Sequence, residues 1–309
     1  MDIIEGDFSK LSIIEQPAYV AIGVFDGVHL GHQAVIRRAV DEARINGGAS
    51  VVMTFDPHPV RILRPDQGPL LLTSTPHKLQ LIERLGVDFT FIVNFTAEVA
   101  QMAPQDFLML LQKSYRKLGE ICVGYRWTFG KNRAGNIEMI ARVGSQQGFA
   151  VKGMEPVAID GEIVSSTLLR NLISSGELRR ASKLLGRPYS LLGEVKHGQK
   201  LGSTLGFPTA NLDVHAELYP PNGVYAVRAR MEGKLYQGVA NIGVRPTVND
   251  SGERVLEVHL LDFSADIYGK VLEIEPVEFI RPEKKFIDRD TLVKQIENDI
   301  ASARHILAR

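Results

Sequence analysis

The chain has 309 residues, 44% of them apolar, and its 36 Lys and Arg are matched by 36 Asp and Glu. That is length for about two domains, while zero net charge argues against a general nucleic-acid or anionic-membrane binder, which needs excess cations. The single cysteine, Cys122, excludes an intrachain disulfide, fits a reducing cytoplasm, and reads as a small buried apolar residue.

The opening MDIIEGDFSK carries early acids and no long apolar run, so it does not read as a signal peptide. No segment nears the roughly 18 apolar residues of a membrane span. Up to about Gly186 short apolar runs alternate with helical patterns. Strands are predicted at 19–23, 50–55, 89–95, 120–125 and 150–157, and helices at 31–46, 75–85, 104–118 and 136–147. Runs such as VVMTF and FTFIV are continuously apolar, as in a parallel sheet covered on both faces. The alternation predicts an open α/β domain, with helices 166–175 and 177–185 closing this half.

After Arg187-Pro188 the texture changes. Short β-branched runs at 193–197, 224–231, 234–242, 254–261 and 271–280 are separated by turn signals such as Pro221-Asn222-Gly223. They predict a small antiparallel barrel or sandwich. Leu292, Ile296, Ile300, Ala303 and Ile306 carry helical spacing behind a cap at Asp288 or Asp290. The domain boundary is placed at 186/187.

GVFDGVHLGH (23–32) follows the first strand. Ligands of open α/β sheets bind at such carboxyl-end turns. Gly23 and Gly27 let the backbone approach a phosphate, and the next helix offers unpaired N–H groups. His29 and His32, three apart, share a face of the first turn, where two imidazoles can donate to phosphate oxygens as charge builds during nucleotidyl transfer. No third metal ligand is evident. This stretch resembles the signature of the nucleotidyltransferase superfamily, in the form of the bacterial bifunctional riboflavin kinase/FAD synthetases. TFDPHP (54–59), LTSTPHKLQLIERLGVD (72–88) and SSTLLR (165–170) continue the resemblance in order. It implies a Rossmann-like nucleotidyltransferase fold, with Gly23, Phe25, Asp26, Gly27, Ser165, Ser166 and Thr167 at the nucleotide. His29, His32 and Arg170 would act on its phosphates. By itself, Ser-Ser-Thr before a helix supplies a cap and hydroxyl donors.

TFDPHP admits two readings: Asp56, Pro57 and His58 as turn chemistry, or, by the resemblance, as a loop against flavin and phosphates. After ICVGY this chain has Arg126 and Trp127, where the family usually has Asn or Asp and then Phe; Phe129, Gly130 and Gly135 are kept. The resemblance puts Arg126, Trp127, Phe129 and Gly130 at the flavin, with packing an equal reading for Trp127 and solvent an alternative for Arg126. The substitution weighs on the rate or substrate orientation of adenylylation.

LGEVKHGQKLGSTLGFPTANL (192–212) places Gly198, Gly202 and Gly206 before Phe-Pro-Thr-Ala-Asn. It lacks the Walker ending, yet its N–H groups can cover phosphates. Thr209 and Asn211 alternate and so face one side of an extended chain, where a hydroxyl and an amide oxygen suit Mg²⁺. GFPTAN, PNGVYAV (221–227), GVANIGVRPTV (238–248), LEVHLLDF (256–263), DIYGK (266–270) and FIRPEKKF (279–286) resemble the riboflavin kinase module. The resemblance implies a barrel. It gives Thr209 and Asn211 to Mg-ATP, Glu257 as general base for the ribityl hydroxyl, and Arg245 to the flavin. Ser203 departs from a frequent Arg. Arg281, Lys284 and Lys285 read as a solvated face, and His197, His215, His259 and His305 have no metal-like spacing.

The chain is therefore expected to be a cytoplasmic α/β enzyme with a C-terminal barrel. It would convert riboflavin to FMN and FMN to FAD, with ATP as co-substrate and Mg²⁺ assisting. Two alternatives are a kinase with a weakened adenylyltransferase half and a non-catalytic flavin-binding regulator. Riboflavin, FMN and ATP are the expected partners, with no nucleic acid or membrane; weak self-association is left open.

Overall fold

Helices cover both faces of the first sheet, and this explains its apolar strands. In the computed structural model the described residues are 1–197, 205–214, 218–245 and 253–309, without the side chains of Arg245 and Glu253. They divide into two compact units, residues 1–70 with 75–166, and residues 71–74 with 167–309.

In the first unit β1 (Asp2–Glu5), β2 (Ala18–Ile22), β3 (Ala49–Asp56), β4 (Phe89–Asn94), β5 (Leu118–Gly124) and β6 (Ala150–Met154) form a six-stranded parallel sheet ordered β1-β4-β3-β2-β5-β6. Its helices are α1 (Leu30–Ile45), α2 (Pro59–Leu63), α3 (Thr75–Glu83), α4 (Ala97–Ala100), α5 (Pro104–Ser114) and α6 (Ile137–Gln147). Alternation along each strand sends side chains to two cores. Val20, Ile22, Met53 and Ile121 pack with Leu111 of α5 and Ile140 of α6. Tyr19, Ala21, Val52 and Cys122 pack with Ile36 and Val40 of α1 and Leu81 of α3. Cys122 is the buried small residue expected; burial, then its hydrogen bond to Glu120, pushes its thiol pKa up. A hairpin of β7 (Ala158–Ile159) and β8 (Glu162–Ile163) follows.

The second unit holds α7 (Ser166–Ser174) beyond its first residue and α8 (Leu178–Leu185). The expectation that these helices close the first half thus differs from the division by compactness. The segment 71–74 joins this unit through the Leu218 amide, which donates to Leu71 O (3.2 Å), and the Tyr189 hydroxyl, which donates to Leu72 O (3.4 Å). The strands β9 (Leu191–Lys196), β10 (Ala210–Val214), β11 (Gly223–Met231), β12 (Lys234–Arg245), β13 (Glu253–Leu260) and β14 (Val271–Arg281) close into an antiparallel barrel, β10-β13-β12-β11-β14-β9. The barrel, rather than the sandwich, is what forms. Leu191, Leu212, Ala240, Val258 and Ile274 fill its inside. The terminal helix α9 (Arg289–Leu307) starts at Asp288, whose carboxylate accepts from the Thr291 amide, and buries Ala303 and Leu307 against Ala226.

Both expected architectures form, with local differences. The edge strand β1 and the barrel strand β10 were not anticipated. The strand expected at 150–157 stops at Met154, just ahead of Pro156, and the helix expected to reach 118 stops at Ser114 because Leu118 already pairs with Ala18 of β2.

Candidate active sites

In the first sheet β2 and β5 are neighbours, and the chain leaves β2 toward β3 on one side and β5 toward β6 on the other. Crevices for ligands open at the carboxyl ends of such strands, and the turn 23–29 lies there. Phe25 (φ 53°), Gly27 (φ 82°) and Val28 (φ 39°) are all left-handed. Two of these are not glycine, so the turn is strained, and strain of this kind collects at ligand sites. The buried Phe25 and Val28 side chains anchor it in the core around α1. A Cβ on Gly23 would stand 2.8 Å from the Phe25 ring, which explains that glycine.

His29 does not sit inside the first helical turn; it is the N-cap of α1, and its Nδ1 accepts the His32 amide (3.2 Å). With Nδ1 accepting, a neutral ring carries its proton on Nε2, a donor. The two imidazoles stack, 3.6 Å between centroids and 18° apart, and Phe25 meets His32 edge-on. His29 is buried and His32 half-buried. The Ser166 hydroxyl donates to the carbonyl of the buried Asp26 (3.0 Å), which ties the Ser-Ser-Thr element to the turn. Ser165 immediately precedes α7; Thr167 and Arg170 lie on α7 in the second compact unit.

His58 caps α2, its Nδ1 accepting from the Val60 amide (3.2 Å). Asp56 is exposed and joined to Pro57 by a cis peptide. Trp127 stacks on Phe129 (4.7 Å, 16°), and Phe129 leans on Phe107 in the core. The Trp127 ring is thus engaged in packing. Gly130 is left-handed (φ 71°) against Pro104. Arg126 is exposed, with no partner among the described residues.

In the barrel, Asn211 of β10 lies opposite Glu257 of β13, and Glu257 lies opposite Asn241 of β12. Directly opposed residues stand about 5 Å apart at Cβ, so the three form one row. Leu256 and Val258 point into the barrel and Glu257 points out. Two cavities of about 270 Å³ each meet at Thr209. One is lined by Val195, Val258, Phe263, Asp266 and Tyr268. The other holds Glu257, Asn241 and His259 beneath Phe207, Phe286 and Ile296. Asn211 Oδ1 is buried and accepts no hydrogen bond among the described residues. Gly206 is left-handed (φ 88°). Gly198, Gly202 and Ser203 lie outside the described residues, as does the Arg245 side chain. Among the described residues no group of three or more His, Cys, Asp or Glu is placed to hold a metal.

The family model described as FAD synthetase matches residues 12–168, and that described as riboflavin kinase matches residues 185–307. A bifunctional riboflavin kinase/FMN adenylyltransferase of Haemophilus influenzae is 36% identical over 305 residues, 98% of each chain. The chain belongs to the bifunctional riboflavin kinase/FMN adenylyltransferase family. Family members from Listeria monocytogenes (38% over 296 residues, 94% of this chain and 92% of that one) and Escherichia coli (35% over 305 residues, 98% and 97%) agree. A solved structure described as a macrolide-efflux protein from Streptococcus pneumoniae superposes with a TM-score of 0.82 at 32% identity, covering 98% of this chain and 99% of that one. Among the described residues no helix is long and apolar enough to cross a membrane.

Lys284 and Lys285 of FIRPEKKF are exposed, as a solvated face requires, but Arg281 is half-buried in a network. The Arg281 guanidinium donates through Nε to Asp299 Oδ1 (2.9 Å) and through Nη2 to Oδ2 (2.8 Å) of α9. Gln295 donates to the same carboxylate (2.9 Å) and accepts from Lys284 (2.6 Å), and both cations lie over the Phe286 ring. This network walls the Glu257 cavity. Asp299 is 3% exposed, and removing one partner of a buried pair strands the other charge. Asp299→Ala is expected to cost about 3 kcal/mol, read as a lower urea midpoint. An unchanged midpoint would show that the pair does not hold α9. Sequence reasoning also missed Asn241 and His259 of the cavity and Lys78 beneath the first crevice; GVANIG and TPHK were quoted, but no pattern said which of their residues face a site.

Proposed function

We propose that this chain makes FMN and then FAD at two separate sites. In the barrel, the ribityl hydroxyl of riboflavin attacks the γ-phosphorus of ATP, Glu257 takes the hydroxyl proton, and ADP leaves. The flat apolar flavin suits the cavity between Phe207, Phe286 and the α9 side chains Leu292 and Ile296. The nucleotide suits the cavity on the other side of Thr209. The observation that carries this reading is the Asn211–Glu257–Asn241 row beside the junction at Thr209.

The Thr209 hydroxyl and the unsatisfied Asn211 carbonyl oxygen are hard donors of the kind Mg²⁺ prefers, and they would hold it with nucleotide oxygens. Bound there, Mg²⁺ neutralises charge on the β- and γ-phosphates. Gly198, Gly202 and Gly206 are assigned to covering them, and Arg245 to the flavin.

At the first site, a phosphate oxygen of FMN attacks the α-phosphorus of a second ATP and pyrophosphate leaves. The backbone of Gly23, Phe25, Asp26 and Gly27 receives the nucleotide, with Ser165, Ser166 and Thr167 as hydroxyl donors. His29, His32 and Arg170 stabilise charge on the phosphates. Asp56, Pro57, His58, Arg126, Trp127, Phe129 and Gly130 are assigned to the flavin side. The balanced charge and single buried cysteine favour a cytoplasmic enzyme of small-molecule substrates.

Pure protein incubated with riboflavin, ATP and Mg²⁺ is expected to yield both FMN and FAD by chromatography. FMN alone would overturn the assignment of the first site, and neither product would overturn both.

A further inference from the structure

Lys78 lies on α3 in line with Leu81 and Ile82, the positions that bury that helix. Residues three and four apart share a helix face, so an apolar side chain is expected there. Lys78 is nevertheless buried, 6% exposed. Its Nζ donates to Phe55 O at 3.3 Å and to Val24 O at 3.5 Å, both long for N–H···O bonds. Burial lowers the affinity of this amine for its proton, and the Asp56 and Asp26 carboxylates pull it back up. Desolvating a cation is costly, and two long contacts to neutral carbonyls return little of that cost.

The two acceptors explain the placement. Val24 is the second residue of the turn that leads to His29, and Phe55 is the penultimate residue of β3, directly ahead of Asp56-Pro57-His58. One ammonium thus spans the bases of two loops on neighbouring parallel strands. The Thr54 hydroxyl donates to the same Val24 carbonyl (3.0 Å), so the join is braced from β3 as well. We propose that Lys78 is a positioning residue for adenylyl transfer, whose buried ammonium sets the turn 23–29 against the loop 56–58 and thereby aligns the two phosphate-bearing substrates. The inference rests on the adenylylation reading above.

Lys78→Met keeps the length and apolar stem and removes the charge; Lys78→Arg keeps the charge. The full chain is assayed for FMN-to-FAD and riboflavin-to-FMN conversion, thermal melting, and amide hydrogen exchange. For Lys78→Met the expected result is a melting temperature no lower than wild type, unchanged FMN formation, and faster exchange confined to 23–29 and 56–58. The kcat for FAD formation should fall at least about tenfold, as small misplacements of reacting groups do, with KM for ATP within about threefold of wild type, and Lys78→Arg should recover part of the rate. Three results overturn the proposal: FAD formation within twofold of wild type, unchanged exchange in both loops, or a lower melting temperature with both activities reduced together, which would make Lys78 a structural brace. Wild-type protein that forms no FAD would instead sink the parent reading, before any variant is made.

Discussion

Replacing Glu257 with glutamine is expected to lower FMN formation by about 10²–10⁴-fold, the usual contribution of a positioned general base, while FMN-to-FAD conversion stays at the wild-type rate. Glutamine matches the size of glutamate and keeps a carbonyl toward the hydroxyl, but it cannot take the proton. The fold should tolerate the change. Glu257 projects outward from β13, and its strand neighbours Leu256 and Val258 supply the buried contacts. Side-chain amides such as those of the flanking Asn211 and Asn241 can pair with an amide as well as with a carboxylate. The measurement is two separate rate assays on one preparation, started from riboflavin and from FMN. Equal loss of both rates in a folded variant, or loss of neither, would refute the division of labour between the sites.

The second large effect is expected at the imidazole pair. His29 carries the proposed phosphate role at the same position where its Nδ1 caps α1 through the His32 amide. Alanine would confuse the loss of a cap with the loss of a phosphate donor. Asparagine separates them, since it ranks among the best N-caps. His29→Asn is therefore expected to melt close to wild type and to lose about 10²–10³-fold in FAD formation, the scale of removing one preorganised donor from a transition state. His32→Ala should show a similar loss without touching the cap. Riboflavin phosphorylation should be unaffected in both. A His29→Asn enzyme with normal FAD formation would leave His29 as a capping residue alone.

Much of the fold was legible because its strongest signals are local. Runs such as VVMTF have apolar side chains on both faces, so they had to be covered on both faces, and the helices between them carried one-sided spacing. The short β1 has only Asp-Ile-Ile-Glu and pairs at a sheet edge, where half its backbone partners are missing, so nothing local marked it. β10 was hidden in GFPTANL, whose Pro and Gly read as loop, yet its alternating Ala210 and Leu212 face the barrel core. The helices α7 and α8 read as the end of the first half because they follow its last strand, but compactness depends on packing, and they group with the barrel.

The site shows the same division. Histidines, Ser-Ser-Thr and Thr-x-Asn could be picked out because their chemistry is carried by residue type and close spacing. Arg281 could not, because its partner Asp299 is a helix away and a charge run otherwise reads as solvated. Nor could the stack of Trp127 on Phe129 be read from the sequence, where packing and stacking on a ligand were equal readings.

Residue identity alone thus determined the order of the two modules, the parallel sheet followed by β-rich structure, and the side chains able to handle phosphate. Only tertiary structure decided that Glu257 stands between Asn211 and Asn241, that the two imidazoles stack over the cap of α1, and that Lys78 lies beneath two loops at once. The physical reason is register: slipping a strand by one residue turns every side chain to the opposite face, and which strands align is settled by what the whole core can bury.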